Sequence, residues 1–352
     1  MYKVGIIGCG NIAYKYNEIF TKWPVTHMSA YNVHPKTTIT AVSDFNKENI
    51  KQCSEIYNVP NSYTDHKKML ENEKLDIVSI CTPCETHAEI IRDIAKYKVK
   101  AIFCEKPFTN NLDDAKEVTS LCKSKGILLV VNFQRRHDLF YQYVKDNMTQ
   151  LVGDVKKVIF TYSGGVVNNG SHAFDLLNYY FGDIEELNAE IDDSTQIDNP
   201  NLSVFIKFKS GIRGLITTYN ISNHSCFGMS IIGTKAKLDL INKPFFGYDY
   251  CYFKHQASDT LPSVTIASSK PEYPISKELE RDLFVKAVDD IIKSIEEDKT
   301  PVSSAENASN VLKIVLSSIV SARENRKICA PFNETFPTLS KVRGLFKEWK
   351  KN

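Results

Sequence analysis

Gly8-Cys9-Gly10-Asn11-Ile12-Ala13 follows an apolar run at 3–7 and opens a helical pattern. In that context the first glycine permits a tight turn and the second lets backbone approach a pyrophosphate. A small third residue lets helix pack on strand, and the helix N-terminus favours the phosphate charge. Gly8, Gly10, Asn11, Ile12 and Ala13 are therefore expected to cradle a dinucleotide. Asp44 ends the second strand pattern, where a carboxylate accepts hydrogen bonds from an adenine-ribose 2′-hydroxyl and repels a 2′-phosphate. NAD is the expected coenzyme, with NADP disfavoured. Asp44 lies 31 residues after Ala13 (44 − 13), where roughly 20 is usual. An insertion around residues 20–27 accounts for the surplus, and an exposed acidic turn residue stays open as the other reading of Asp44.

Two further residues have the chemistry of hydroxyl oxidation, which needs a base for the proton and a positive group near the developing alkoxide. Lys106, in Glu105-Lys106-Pro107, ends an apolar run, and the carboxyl ends of parallel strands are where open sheets bind ligands. His172 follows a glycine-bearing loop and begins a helical pattern, and histidine ionises close to neutral pH. Cys81-Thr82-Pro83-Cys84 has the spacing of a redox pair. It falls at a strand end, however, with no second pair to complete a zinc site, and no metal is expected.

Positioning these residues requires two kinds of domain. Strand patterns at 3–7, 38–43, 77–81, 101–104 and 127–132 alternate with helical patterns at 46–57, 86–96 and 112–125, which implies parallel strands joined by crossover helices. Beyond residue 155 the texture changes to alternating runs at 155–162, 202–208, 214–219 and 227–232, the mark of single-faced antiparallel sheet. A helix is expected at 171–181, and two more at 277–297 and 304–326, whose apolar stripes read as core faces. The expected architecture is an α/β Rossmann domain over 1–130 and an α+β domain over 131–352 with a large open, mainly antiparallel sheet. The two are expected to pack closely around a cleft.

With 42% hydrophobic residues in 352, the chain can bury a large core, and a formal charge of +2 leaves no field that would draw nucleic acid or an anionic membrane. A small-molecule partner is expected. The N-terminus runs straight into a strand with no room for a signal peptide, and no run of 18 apolar residues reads as a membrane span. Nine cysteines, an odd count, lie mostly in apolar runs, which suits reduced thiols. A cytoplasmic location is expected.

The glycine turn, Cys81-Thr82-Pro83 with His87, Glu105-Lys106-Pro107, and Gly170-Ser171-His172-Ala173-Phe174-Asp175-Leu176-Leu177 together resemble the glucose-fructose oxidoreductase/inositol dehydrogenase (Gfo/Idh/MocA) family, in order and spacing over nearly the whole chain. The resemblance implies hydride transfer between nicotinamide and a secondary hydroxyl or keto group of a sugar, nucleotide sugar or cyclitol. It implies Lys106 and His172 as the catalytic pair and a cis Lys106-Pro107 bond. Thr82 and Pro83 would lie against the nicotinamide half of the coenzyme, with Glu105 and His87 beside it; a surface or capping role for His87 stays open. Asn168 stands where the family pattern has aspartate, and can position a substrate hydroxyl without supplying charge. Asp175 is expected to support the substrate site from the helical face of His172, and Arg136 to reach substrate or coenzyme unless it is a structural pair at the junction. The resemblance leaves open an NAD-assisted glycosidase and a non-catalytic dinucleotide sensor. The open sheet is expected to be buried in a homodimer or homotetramer.

Overall fold

Apolar runs with crossover helices build a six-stranded parallel sheet in the computed structural model, which describes residues 1–19, 24–193, 199–218, 226–242, 248–256, 264–267 and 282–342. The strands are β1 (Tyr2–Ile7), β2 (Thr37–Ser43), β3 (Asn61–Tyr63), β4 (Ile77–Ile80), β5 (Ala101–Cys104) and β6 (Leu128–Val131). Their order is β3-β2-β1-β4-β5-β6, with every pair parallel. The order reverses between β1 and β4, the switch point at which such sheets open a crevice beyond their carboxyl ends. β4 and β5 are buried at every position, as strands covered on both faces must be.

A π-helical turn (Asn11–Lys15) and α1 (Tyr16–Ile19) follow β1, and α2 (His27–Val33) precedes β2. Further on come α3 (Lys47–Tyr57), α4 (His66–Asn72), α5 (Cys84–Ile94) and α6 (Leu112–Ser124). Local chemistry sets where these helices start. Thr26 and Ser29 form a capping box at α2, and Asn46, Asp65 and Asn111 accept first-turn N–H groups of α3, α4 and α6.

The chain divides into two units. The first is Met1–Asp138 with Asp282–Leu312, so it includes a segment that the sequence assigned to the second domain, and its first boundary falls at 138 rather than 130. The cause is α10 (Leu283–Glu297), which buries Phe284, Ala287, Val288, Ile291 and Ile292 in one core with Val4, Met28, Phe103 and Val130. That i, i+3, i+4, i+7, i+8 stripe was legible as a core face; which core it joins was not. Just beyond it, Val131 N–H donates to the Ser303 carbonyl (3.1 Å) and Ser303 Oγ donates to the Val131 carbonyl (2.6 Å), which ties β6 to the returning chain.

The second unit is Leu139–Arg281 with Lys313–Asn352. It opens with α7 (Leu139–Asp146), α8 (Met148–Val152) and β7 (Val155–Tyr162), followed by a π-helical turn (Gly165–Gly170) and α9 (Ser171–Phe181). Then come β8 (Ile184–Asp193), β9 (Asn201–Phe208), β10 (Arg213–Thr218), β11 (Phe227–Gly233), β12 (Ala236–Asn242), β13 (Tyr248–Gln256) and β14 (Val264–Ala267). α11 (Ala305–Glu324) enters this unit from the first, and β15 (Ile328–Cys329) completes a nine-stranded sheet ordered β14-β13-β12-β11-β7-β10-β9-β8-β15. Every pair is antiparallel except β7 with β10. Alternating burial, as along β11, marks a one-faced sheet but carries no information on strand direction, so this parallel pair had no sequence signal. The aromatic stretch 248–253 lies in β13, paired with β12. The start of the helix expected at 277, and Tyr219, lie outside the described residues.

No helix among the described residues is long and apolar enough to cross a membrane. Because Phe284 joins the first core at 4% exposure, Phe284→Ala should lower unfolding free energy by about 3–5 kcal/mol, read from the urea midpoint. A change under about 1 kcal/mol would refute the placement of α10.

Candidate coenzyme and active site

Gly8 leaves β1 at φ +91°, and a Cβ there would stand 2.8 Å from the Cys81 carbonyl carbon. Its N–H donates to the Ser43 carbonyl (2.8 Å) while Cys81 N–H donates to that of Ile7 (2.8 Å), so the turn is pressed between the ends of β2 and β4. Only glycine fits such a conformation and approach. Gly10 differs: a Cβ on it would meet no protein atom within 4 Å. The space before Gly10 is left clear, as an approaching pyrophosphate requires. Ala13 is fully buried, with Asn11 exposed and Ile12 between the two extremes.

The Asp44 carboxylate is fixed by two backbone donors, Cys9 N–H to Oδ2 (2.6 Å) and Asn46 N–H to Oδ1 (2.8 Å). With Gly8, Gly10, Thr82 and Pro83 it lines a cavity of about 460 Å³, a size suited to a small ligand or part of a coenzyme. Asp65, His66 and Glu89 line the same cavity. These residues fit a dinucleotide: the glycine turn, Thr82 and Pro83 would hold it and Asp44 would meet its adenine ribose.

His87 is 1% exposed, which removes the surface reading. Its Nε2 lies 2.8 Å from the Thr82 carbonyl and its Nδ1 lies 3.0 Å from that of Phe108 and 3.3 Å from Cys104 Sγ. Burial holds its pKa below the ordinary histidine value despite these carbonyls. The ring thus links the Thr82-Pro83 turn to the segment after Lys106-Pro107, whose peptide bond is cis as the resemblance implied.

Glu105, expected beside the coenzyme, is 7% exposed. Its Oε1 accepts from Asn132 Nδ2 (2.6 Å) and lies 2.9 Å from His27 Nε2, and Oε2 accepts from the Lys106 N–H (3.3 Å). Burial alone would raise its pKa, but His27, Asn132 and the Lys106 charge hold it below the usual carboxylate value. His27, which the sequence left unassigned to any site, is fully buried in the first turn of α2. The Thr26/Ser29 capping box is the sequence signal that a helix starts at His27.

Lys106 is half-buried at the end of β5. Burial pushes its ammonium below the ordinary lysine value, Glu105 opposes this, and Arg135 reinforces it. Arg136 is 3% exposed, and its Nη1 donates to the Val302 carbonyl (3.2 Å), the kind of structural tie the sequence allowed.

In the second unit, the turn before α9 is moored to β9 and the residues leading into it. Gly165 N–H donates to Asn201 Oδ1 (2.9 Å), and Val167 N–H to Asn199 Oδ1 (2.8 Å). Gly164 and Gly165, at φ +89° and +81°, permit that path. Asn168 is exposed and its carbonyl accepts from Ser171 Oγ (2.7 Å), whereas His172 and Asp175, at 5% and 1% exposure, are buried in the first turns of α9.

The description "Oxidoreductase family, NAD-binding Rossmann fold" matches residues 2–133, and "Oxidoreductase family, C-terminal alpha/beta domain" matches 160–330. The chain belongs to the Gfo/Idh/MocA oxidoreductase family. A myo-inositol 2-dehydrogenase of Thermotoga maritima is 25% identical over 67% of this chain and 74% of its own length. Among solved structures, a putative NADPH-dependent oxidoreductase from Desulfitobacterium hafniense has a TM-score of 0.77 at 18% identity, covering 93% of this chain and 97% of that one. The WlbA dehydrogenase of Bordetella pertussis, in complex with NADH and UDP-GlcNAcA, has a TM-score of 0.74 at 18% identity, covering 94% and 99%. These two likenesses establish the fold.

The two glycines of the family turn should respond differently. Gly10→Ala should leave the thermal midpoint unchanged while weakening NADH binding, measured by nicotinamide fluorescence, at least about tenfold. Gly8→Ala should lower the thermal midpoint itself. Undiminished NADH affinity in Gly10→Ala would rule out pyrophosphate approach at that turn.

Proposed function

We propose that this oxidoreductase transfers hydride between a nicotinamide coenzyme, NAD in preference to NADP, and a secondary hydroxyl or keto group of a sugar, nucleotide sugar or cyclitol. The observation that carries the reading is Lys106, a half-buried cation beside the buried Glu105 carboxylate on the sheet edge that bears the glycine turn. The myo-inositol 2-dehydrogenase and the WlbA structure with NADH and UDP-GlcNAcA support the class of substrate. Asp44, with Asp65 and Glu89 near it, supports NAD.

When bound, nicotinamide supplies the hydride acceptor at C4. In the oxidation direction His172 accepts the hydroxyl proton as the carbinol C–H bond breaks and C=O forms; reduction runs the same path backwards. Lys106 orients the oxygen and stabilises its developing negative charge. Asn168 positions a neighbouring hydroxyl and Asp175 supports His172 from α9.

The test is a panel of polyols, sugars and nucleotide sugars assayed with NAD and NADP by nicotinamide absorbance. Lys106→Ala and His172→Ala should each lower kcat by about 10²-fold or more; full activity in both would refute the mechanism. Lys106 must be cationic, and burial lowers its pKa. Activity should therefore be retained below that pKa and lost as pH rises through it, at a value under the ordinary lysine ~10.4. Lys106→Arg, permanently charged, should abolish this basic limb; an unmoved limb would assign it to another group.

A further inference from the structure

We infer that His27 is a positioning residue for Lys106: its imidazole fixes the Glu105 carboxylate as an anion beside the lysine, through a buried hydrogen-bond chain that runs Tyr31, Ser79, His27, Glu105. The inference rests on the role proposed for Lys106. His27 Nε2 lies 2.9 Å from Glu105 Oε1, His27 Nδ1 lies 3.1 Å from Ser79 Oγ, and Ser79 Oγ lies 2.9 Å from the Tyr31 hydroxyl. Tyr31, His27 and Ser79 are all fully buried.

Donor counting gives the chain a direction. Burial raises the Tyr31 phenol above its ordinary value, so it keeps its proton, and Ser79 Oγ stands 2.9 Å away to accept it. The single Ser79 hydroxyl hydrogen is then free for His27 Nδ1, and the Nε2–H is directed at Glu105. Every polar side-chain atom of the chain is used.

The surroundings hold that state. The Phe103 ring lies 4.5 Å from the His27 ring, centre to centre, and the Phe284 ring of α10 lies 5.4 Å away. The ionisable and polar groups that face His27 are Tyr31 on its own helix, Ser79 on β4 and Glu105 after β5. Glu105 in turn meets Asn132 after β6 and Lys106, and Arg135 acts on Lys106 from beyond Asn132. Without the His27 donor, Glu105 keeps Asn132 and one peptide N–H, and a buried carboxylate short of donors takes up a proton. Lys106 would then sit beside a neutral acid and lose its counter-charge.

The experiment is competitive acetylation of the full chain with trace acetic anhydride across pH, with the Lys106 peptide quantified by mass spectrometry. In His27→Leu the onset of Lys106 reactivity should move down by about one pH unit, and the basic limb of kcat should follow. NADH affinity should stay within about twofold. His27→Gln, whose amide both donates and accepts, should restore the wild-type onset. A wild-type onset in folded His27→Leu would overturn the inference. If His27→Leu fails to fold, the isosteric Glu105→Gln must show the same downward shift, and a wild-type onset there overturns it as well. Labelling needs no turnover, so a shifted onset in a protein inactive on the whole panel would sustain the His27 linkage and defeat the dehydrogenase reading. Full turnover with an unshifted onset would do the reverse.

Discussion

A carboxylate placed at the end of β5 with 7% exposure obliges the elements around it to supply donors, because a buried charge left without partners costs several kcal/mol. β6 ends in Asn132, α2 delivers His27, and the Lys106 peptide contributes its N–H. His27 needs its own partner, which β4 provides as Ser79, and Ser79 needs Tyr31. The aromatic packing of the imidazole is completed by Phe284. That contact gives one physical reason why the chain returns to the first unit after Asp282: part of the wall around the charge comes from α10.

The same sheet edge carries the coenzyme turn. Gly8 follows β1, Cys81-Thr82 follows β4, Glu105-Lys106 follows β5 and Asn132 follows β6, so the carboxyl ends of four neighbouring strands hold a backbone cradle, a charge pair or a donor to that pair. The pinch of Gly8 against Cys81 fixes the cradle, and His87 carries that constraint onward through the Thr82 and Phe108 carbonyls. Rigid strands define these positions more closely than free loops would. Cys81 and Cys84 lie at a strand end and a helix start, and their spacing follows from the turn between them.

Much of this was legible in the sequence for local reasons. A strand followed by glycines at set offsets, a lysine after an apolar run and a histidine after a glycine loop are short-range patterns, and the structure has strand, turn and helix at each. What was not legible depends on distance along the chain. His27 and Glu105 are 78 positions apart, and Phe284 lies farther still; periodicity states that α10 has an apolar face without naming the core that receives it. The parallel pairing of β7 with β10 escaped because side-chain alternation has the same period in either strand direction. The start of α2 escaped because the polar residues Thr26, His27 and Ser29 look like loop until their hydrogen bonds are seen.

A lysine suits position 106 because two opposing influences meet on it. Desolvation pulls the pKa of this half-buried ammonium down, and the buried carboxylate beside it pulls it back up. Arginine would hold the charge without needing the carboxylate, but as a fixed planar fork whose ionisation does not respond to its neighbours. The second unit is arranged differently: α9 buries Asp175 three positions after His172, while the exposed Asn168 offers hydrogen bonding without charge. The first unit therefore keeps its anion buried and adjacent to a half-buried lysine, whereas the second keeps its carboxylate inside the helix and leaves a neutral group at the turn.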